Sequence, residues 1–214
     1  MKIKETIAAF LYKQGISANF LTYLGLGFAL GSGVLIYSGS FFWAGGALLL
    51  SGAFDLLDGA VARLSKKPGA FGGILDSSID RYGDALVFAG ILFFYFGVGD
   101  LLVAALAFSA LVGSFLISYV RARAECEIEN CRVGFWERGE RLVYLSLGLL
   151  FNNLEVVLWI LGIGTHLTAM LRLTYAHRQP RVWHKVILDL KGRRSPWYLL
   201  KVLVLFLVVA LVRI

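Results

Sequence analysis

Long apolar stretches, broken at short intervals by Gly, Ser, Asn and Asp, dominate this chain. A helix that crosses a bilayer needs about 20 mostly apolar residues. Runs of this kind fall at 18–38, 41–63, 72–96, 100–121, 138–153 and 154–176. Several are separated by only a few residues, at Ser38–Ser40, Gly97–Asp100 and Asn152–Asn153. Turns this short join antiparallel neighbours in a helical bundle. The pattern predicts an all-α fold, a polytopic integral membrane helical bundle with six transmembrane helices. A further apolar run at 197–213 is marginal in length and contains Lys201. It reads equally as a seventh C-terminal hydrophobic helix and as a helix lying in the interface. At the other end Ile3, Ile7, Phe10 and Leu11 share one helical face, with Lys2, Lys4 and Lys13 elsewhere. That predicts an amphipathic N-terminal interfacial helix. The segment lacks the apolar stretch and small-residue cleavage site of a signal peptide. The expected organisation is one membrane domain over 1–178 and a tail over 179–214.

Composition agrees. Of 214 residues, 58% are hydrophobic and 16% charged, against about 25% charged in soluble domains. The mean hydropathy is +0.75. These figures exclude a disordered chain, a soluble single-core enzyme and a disulfide-stapled secreted domain. Two Cys, Cys126 and Cys131, lie in a charged stretch and read as reduced thiols. The net charge of +7 matters through its placement. Every Lys and Arg except Lys201 and Arg213 precedes the first run, follows the second, opens the third, separates the fourth from the fifth, or follows the sixth. All those positions lie on one side of the bundle. Basic loops stay inside, so that side is cytoplasmic and the chain is a multi-pass protein of the cell membrane. His166, His177 and His184 read as interfacial or core residues.

The candidate chemistry is acidic. The second run ends with Asp55 and Asp58, and the third begins with Asp76, Asp80 and Asp84. An ionisable group at membrane depth costs at least about 2.5–3.5 kcal/mol, so such groups are paired or line a watered cavity. Asp55 and Asp58 are three apart and share a helix face, and Asp76, Asp80 and Asp84 form a stripe at intervals of four. A short link at Pro68-Gly69 is expected to bring the two helices together as an antiparallel pair. Like charges held so close repel, and two divalent cations balance four carboxylates. Oxygen-only ligation suits Mg²⁺ or Mn²⁺ rather than zinc. Gly59 and Gly72 each cost a helix about 1 kcal/mol relative to Ala. Either close approach of a ligand or ordinary helix packing accounts for them.

These positions spell Asp55-x2-Asp58-Gly59-x2-Ala62-Arg63-x8-Gly72-x3-Asp76-x3-Asp80. The string resembles the signature of the CDP-alcohol phosphotransferase family at all of its fixed positions. The resemblance implies a membrane enzyme, usually homodimeric, that transfers a substituted phosphate from a CDP-linked donor to an alcohol and releases CMP. It implies that Asp55, Asp58 and Asp76 are metal ligands. Asp80 would be the catalytic base and would also touch metal, with two divalent ions (Mg²⁺ or Mn²⁺) per site. Gly59, Ala62, Arg63 and Gly72, together with Asp55 and Asp58, would bind CDP. Asn19 and Thr22 resemble a further family element near the nucleotide, in which this chain has Ala18 where Pro is usual.

A second cluster holds Ser118, Arg121 and Arg123, then Glu137, Arg138 and Arg141. Basic residues at a helix end satisfy the inside rule without any further role. Alternatively Ser118, Arg121 and Arg138 converge on an anion, since guanidinium groups suit phosphate oxygens. The segments Leu75–Arg81, Ser118–Glu125 and Glu137–Arg141 are similar to the prokaryotic phosphatidylinositol-phosphate synthase branch of the family. That branch implies a CDP-diacylglycerol donor, or CDP-archaeol in the ether-lipid counterpart, and inositol 1-phosphate or a similar polar acceptor. Ser118, Arg121, Arg123, Arg138 and Arg172 are then the acceptor-phosphate residues, although this chain has Leu171 where Gln is frequent. Glycerol 3-phosphate is the rival acceptor. The reading from another class is a cation transporter with an Asp-lined path, against which no polar residues continue the path across the bilayer. Nothing points to nucleic acid.

Overall fold

Seven α-helices follow one another, with no strand among the described residues: α1 (Ile3–Lys13), α2 (Ala18–Tyr37), α3 (Phe41–Leu64), α4 (Ala70–Gly97), α5 (Leu101–Glu125), α6 (Arg138–Leu150) and α7 (Leu154–His177). The computed structural model describes residues 3–65 and 70–179. The Pro68-Gly69 link, Lys66, Lys67, His184 and the run 197–213 lie outside the described residues.

Local sequence sets the boundaries. Ser17 caps α2 by accepting a hydrogen bond from the Phe20 amide at 3.2 Å. Asp100 caps α5 through the Val103 amide at 3.1 Å. Between helices the chain reverses at Gly39 and Gly99, with φ of 79° and 83°, a left-handed geometry that glycine adopts without a steric penalty. The helices match the apolar runs closely, except that α6 ends at Leu150.

Among the described residues, three helices are long and apolar enough to cross a membrane: α2, α5 and α7. α3 and α4, of 24 and 28 residues, are long enough as well but carry the aspartates. Leu30, Val34, Phe93, Phe96, Phe108, Val156 and Leu167 all point outward. This is an apolar exterior that lipid, not water, can cover. Inside, Ile36, Phe88, Ile91, Leu149, Leu158 and Leu161 form one core through the bundle. A smaller cluster of Ala8, Leu21, Ala60 and Val61 seats α1 on α2 and α3. Ala8 and Leu11 of α1 pack against the bundle, whereas Ile7 and Phe10 of the predicted apolar face stay exposed, at 43% and 61%.

One expectation needs correction. α3 and α4 do not form a tight antiparallel pair; both pack along α2 instead. Small residues on α2 are the reason. Ser51 of α3 donates to the Gly25 carbonyl at 2.8 Å. On the other side, a Cβ at Gly33 would stand 2.5 Å from the Leu86 carbonyl oxygen of α4. α2 thus holds both acidic helices at close range and sets the gap between them.

Candidate active site

The aspartates of α3 and α4 meet across that gap. Oxygens of Asp55, Asp76 and Asp80 all lie within 4.8 Å of one another. Asp58 stands beside this trio and is nearly buried, at 5% exposure. Its Oδ2 accepts the Thr22 hydroxyl at 2.7 Å, which ties α2 to α3 at the site. Thr22, Asp55, Asp58 and Asp80 line one small cavity together with Arg138. Asp76 Oδ1 is buried without a hydrogen-bond partner. An orphaned buried acceptor costs about 1–3 kcal/mol. The orphaned oxygen and the all-carboxylate donor set fit a hard divalent cation.

The glycines separate into two kinds. A Cβ on Gly90 would collide with the Gly33 carbonyl, and one on Gly45 would come within 3.0 Å of the Ser146 carbonyl oxygen. Those are packing glycines. Among the described residues, a Cβ at Gly59 would meet only the far end of Arg63, at 3.6 Å, and one at Gly72 only Asn19 Oδ1, at 4.0 Å. Neither position is filled by a packed neighbour among the described residues. Asn19 and Arg63 are exposed and Ala62 is half-buried, so this flank is accessible.

A second chamber of about 400 Å³ opens on the other flank. Its walls include Ser118, Arg121, Arg138 and Arg172, with Asp80 at its edge. Arg172 is buried to 2% exposure. It is anchored by the Val133 and Ile117 carbonyls at 3.0 and 2.9 Å. Its Nη2 has no hydrogen-bond partner. Arg123 is not brought here: two residues beyond Arg121 it sits on another face of α5 and pairs with Glu127 at 3.2 Å. Arg138 borders the chamber, but its guanidinium lies among the carboxylates, 2.6 Å from Asp55 and 2.9 Å from Asp80.

The CDP-alcohol phosphatidyltransferase family model matches residues 16–213. The chain belongs to that family. Among its relatives, a phosphatidylinositol phosphate synthase of Mycobacteroides abscessus is 31% identical over 188 residues, covering 84% of this chain and 86% of that one. An archaetidylinositol phosphate synthase of Pyrococcus horikoshii is 34% identical over 176 residues, covering 82% and 91%. The crystal structure of Mycobacterium tuberculosis phosphatidylinositol phosphate synthase with CDP-DAG bound superposes with a TM-score of 0.76 at 30% identity. It covers 84% of this chain and 96% of that chain. The same enzyme in complex with manganese and citrate gives a TM-score of 0.75 at 30% identity, with 83% and 90% covered.

This CDP-alcohol phosphatidyltransferase is a membrane protein whose polar site sits between apolar helices. Two of its site features escape the sequence. Arg141 of α6, only 3% exposed, pairs with Asp84 at 2.8 Å. Glu137 stands between Arg121 and Arg172, at 3.5 and 3.9 Å. The available signal was spacing: Arg138 and Arg141 share a face of α6, as Asp80 and Asp84 share one of α4. Trp136, at φ 67°, turns the chain into α6. Its amide donates to Glu140 at 2.7 Å and its carbonyl accepts from Arg141 at 2.8 Å.

Proposed function

We propose that this enzyme transfers a phosphatidyl group, or its ether-lipid analogue, from CDP-diacylglycerol to inositol 1-phosphate and releases CMP. The observation that carries this reading is the position of Asp80. It lines both the carboxylate cavity and the arginine-walled chamber. A base at that junction reaches a hydroxyl entering from one side and a phosphate held on the other.

In this reading Asn19, Thr22, Gly59, Ala62, Arg63 and Gly72 receive the CDP moiety. Asp55, Asp58, Asp76 and Asp80 hold Mg²⁺ or Mn²⁺, and bound metal neutralises charge on the transferring and leaving oxygens. Arg121 and Arg172, with Ser118, bind the acceptor's phosphate and aim its hydroxyl at the donor. Asp80 takes the hydroxyl proton as the new O–P bond forms and the pyrophosphate bridge breaks, with CMP leaving. A placed carboxylate base contributes typically about 10²–10⁴-fold. The Nη2 of Arg172, which makes no hydrogen bond and stands 3.9 Å from the Glu137 carboxylate, supports a phosphorylated acceptor, since a buried guanidinium N–H is suited to a hydrogen-bonded anion. Relatives named for phosphatidylinositol phosphate and archaetidylinositol phosphate synthesis support inositol phosphate over glycerol 3-phosphate. The same reading places six spans, a dimer, a cytoplasm-facing site and a division into a membrane domain over 1–178 and a tail over 179–214.

The test is CMP release from CDP-diacylglycerol by purified protein with Mn²⁺ or Mg²⁺. Inositol 1-phosphate, free inositol, glycerol 3-phosphate and serine are compared as acceptors. Release with inositol 1-phosphate alone is expected. Release driven by glycerol 3-phosphate instead would replace the acceptor, and no release with any alcohol would remove the activity.

A further inference from the structure

Two adjacent residues at the start of α6 occupy the places that ligands of the two chambers would take. Arg138 Nη1 lies 2.6 Å from Asp55 Oδ1 and 2.9 Å from Asp80 Oδ1. It is a cation seated on the carboxylates that suit a metal. Glu137 Oε1 lies 3.5 Å from Arg121 Nη1 and 3.9 Å from Arg172 Nη2. It is an anion seated between the guanidinium groups that suit a phosphate. Arg138 also borders the larger chamber, so its charge is within reach of either side.

We propose that Glu137 and Arg138 are paired positioning residues that act as internal competitors, Arg138 against the divalent cation and Glu137 against the acceptor phosphate. The inference rests on the assignment of the two chambers made above. A cation that takes Asp55 and Asp80 releases Arg138 toward the larger chamber. There the freed guanidinium joins Arg121 and Arg172 and favours an anion over Glu137. Metal and phosphate then tighten one another, reciprocally, because both bias the same pair. The arrangement keeps the buried charges compensated whichever ligands are bound, and it favours loading of the acceptor where metal already stands.

The experiment measures Mn²⁺ binding to the purified full chain by the electron paramagnetic resonance of free Mn²⁺. Inorganic phosphate serves as the anion probe, and a protein-free titration corrects for Mn²⁺–phosphate association. In the wild type, saturating phosphate is expected to lower the Mn²⁺ Kd about tenfold, within the usual range of coupling between sites. Arg138→Gln removes the competing cation. Mn²⁺ alone then binds more tightly than in the wild type, and the effect of phosphate shrinks to about twofold or less. Glu137→Gln removes the competing anion, so phosphate binds about threefold tighter or better. Retained Mn²⁺ binding shows that each variant is folded. Arg138→Lys, with the same charge on a differently shaped head, gives intermediate values. Independent binding of Mn²⁺ and phosphate in the wild type overturns the proposal. So does weaker Mn²⁺ binding by Arg138→Gln, or weaker phosphate binding by Glu137→Gln. CMP release by the wild type is scored separately. If it persists while coupling is absent, the pairing falls and the proposed activity stands.

Discussion

Replacing Gly59 by Ala separates folding from donor binding. Among the described residues the added methyl meets no neighbouring backbone, and its nearest neighbour is Arg63 Nη1 at 3.6 Å, an ordinary contact. Helix propensity alone then stabilises α3 by about 1 kcal/mol, so the melting temperature in detergent stays level or rises. If the CDP moiety rests on this bare stretch of helix, the methyl overfills the space. Overpacking costs about 1–3 kcal/mol, and each 1.4 kcal/mol is about tenfold in affinity. The donor KM should therefore rise between about 5-fold and 150-fold. Gly90→Ala is the control with the opposite signature. Its methyl would lie 2.9 Å from the Gly33 Cα and would run into the Gly33 carbonyl, so the melting temperature falls and activity is lost with the fold. The assay is CMP release at varied CDP-diacylglycerol, paired with thermal unfolding in the same detergent. Unchanged donor KM in a stable Gly59→Ala enzyme would refute the placement of the nucleotide on this face.

Other outcomes follow from the same geometry. Asp80→Asn should abolish turnover while CDP-donor binding, read by calorimetry, stays close to wild type; lost donor binding would make Asp80 a structural ligand rather than the base. Arg121→Ala should raise the acceptor KM at least about tenfold, the loss of one charge-assisted contact, with the donor KM little changed; equal rises in both would return Arg121 to a topological role. The two thiols should part under alkylation. Cys126 is exposed, whereas Cys131 is buried, and burial pushes its thiol above the ordinary value. Since the thiolate is the reactive form, Cys131 needs a higher pH, and at pH 8 mass spectrometry should find Cys126 modified first. Equal rates would show that the segment between α5 and α6 opens freely.

Helix positions were legible because each apolar run carries its own stop signal, as at Gly39 and Gly99. The aspartates were legible for a related reason: carboxylates in apolar helices stand out, and intervals of three and four fix a shared face. What spacing leaves open is how each helix is turned about its axis. Basic residues near a helix end satisfy the inside rule at any rotation. The sequence therefore did not distinguish Arg123, which faces Glu127, from Arg121 two positions earlier. Nor did it reveal that Arg138 would reach the carboxylates, since that depends on the turn at Trp136. The direct pairing expected of α3 and α4 failed because chain proximity does not set contact. The small residues of α2 do.

The crossing of Gly33 with Gly90 also works as a fulcrum. Where two backbones touch without intervening side chains, the helices cannot slide freely, but they can rock. Asn19 lies about 21 Å along α2 from that point, and Gly72 about 27 Å along α4, at 1.5 Å per residue. A tilt of about 5° would move such lever arms by about 2 Å at their far ends. The same tilt moves the opposite ends of α2 and α4 less, because Tyr37 and Gly97 lie nearer the crossing than Asn19 and Gly72 do.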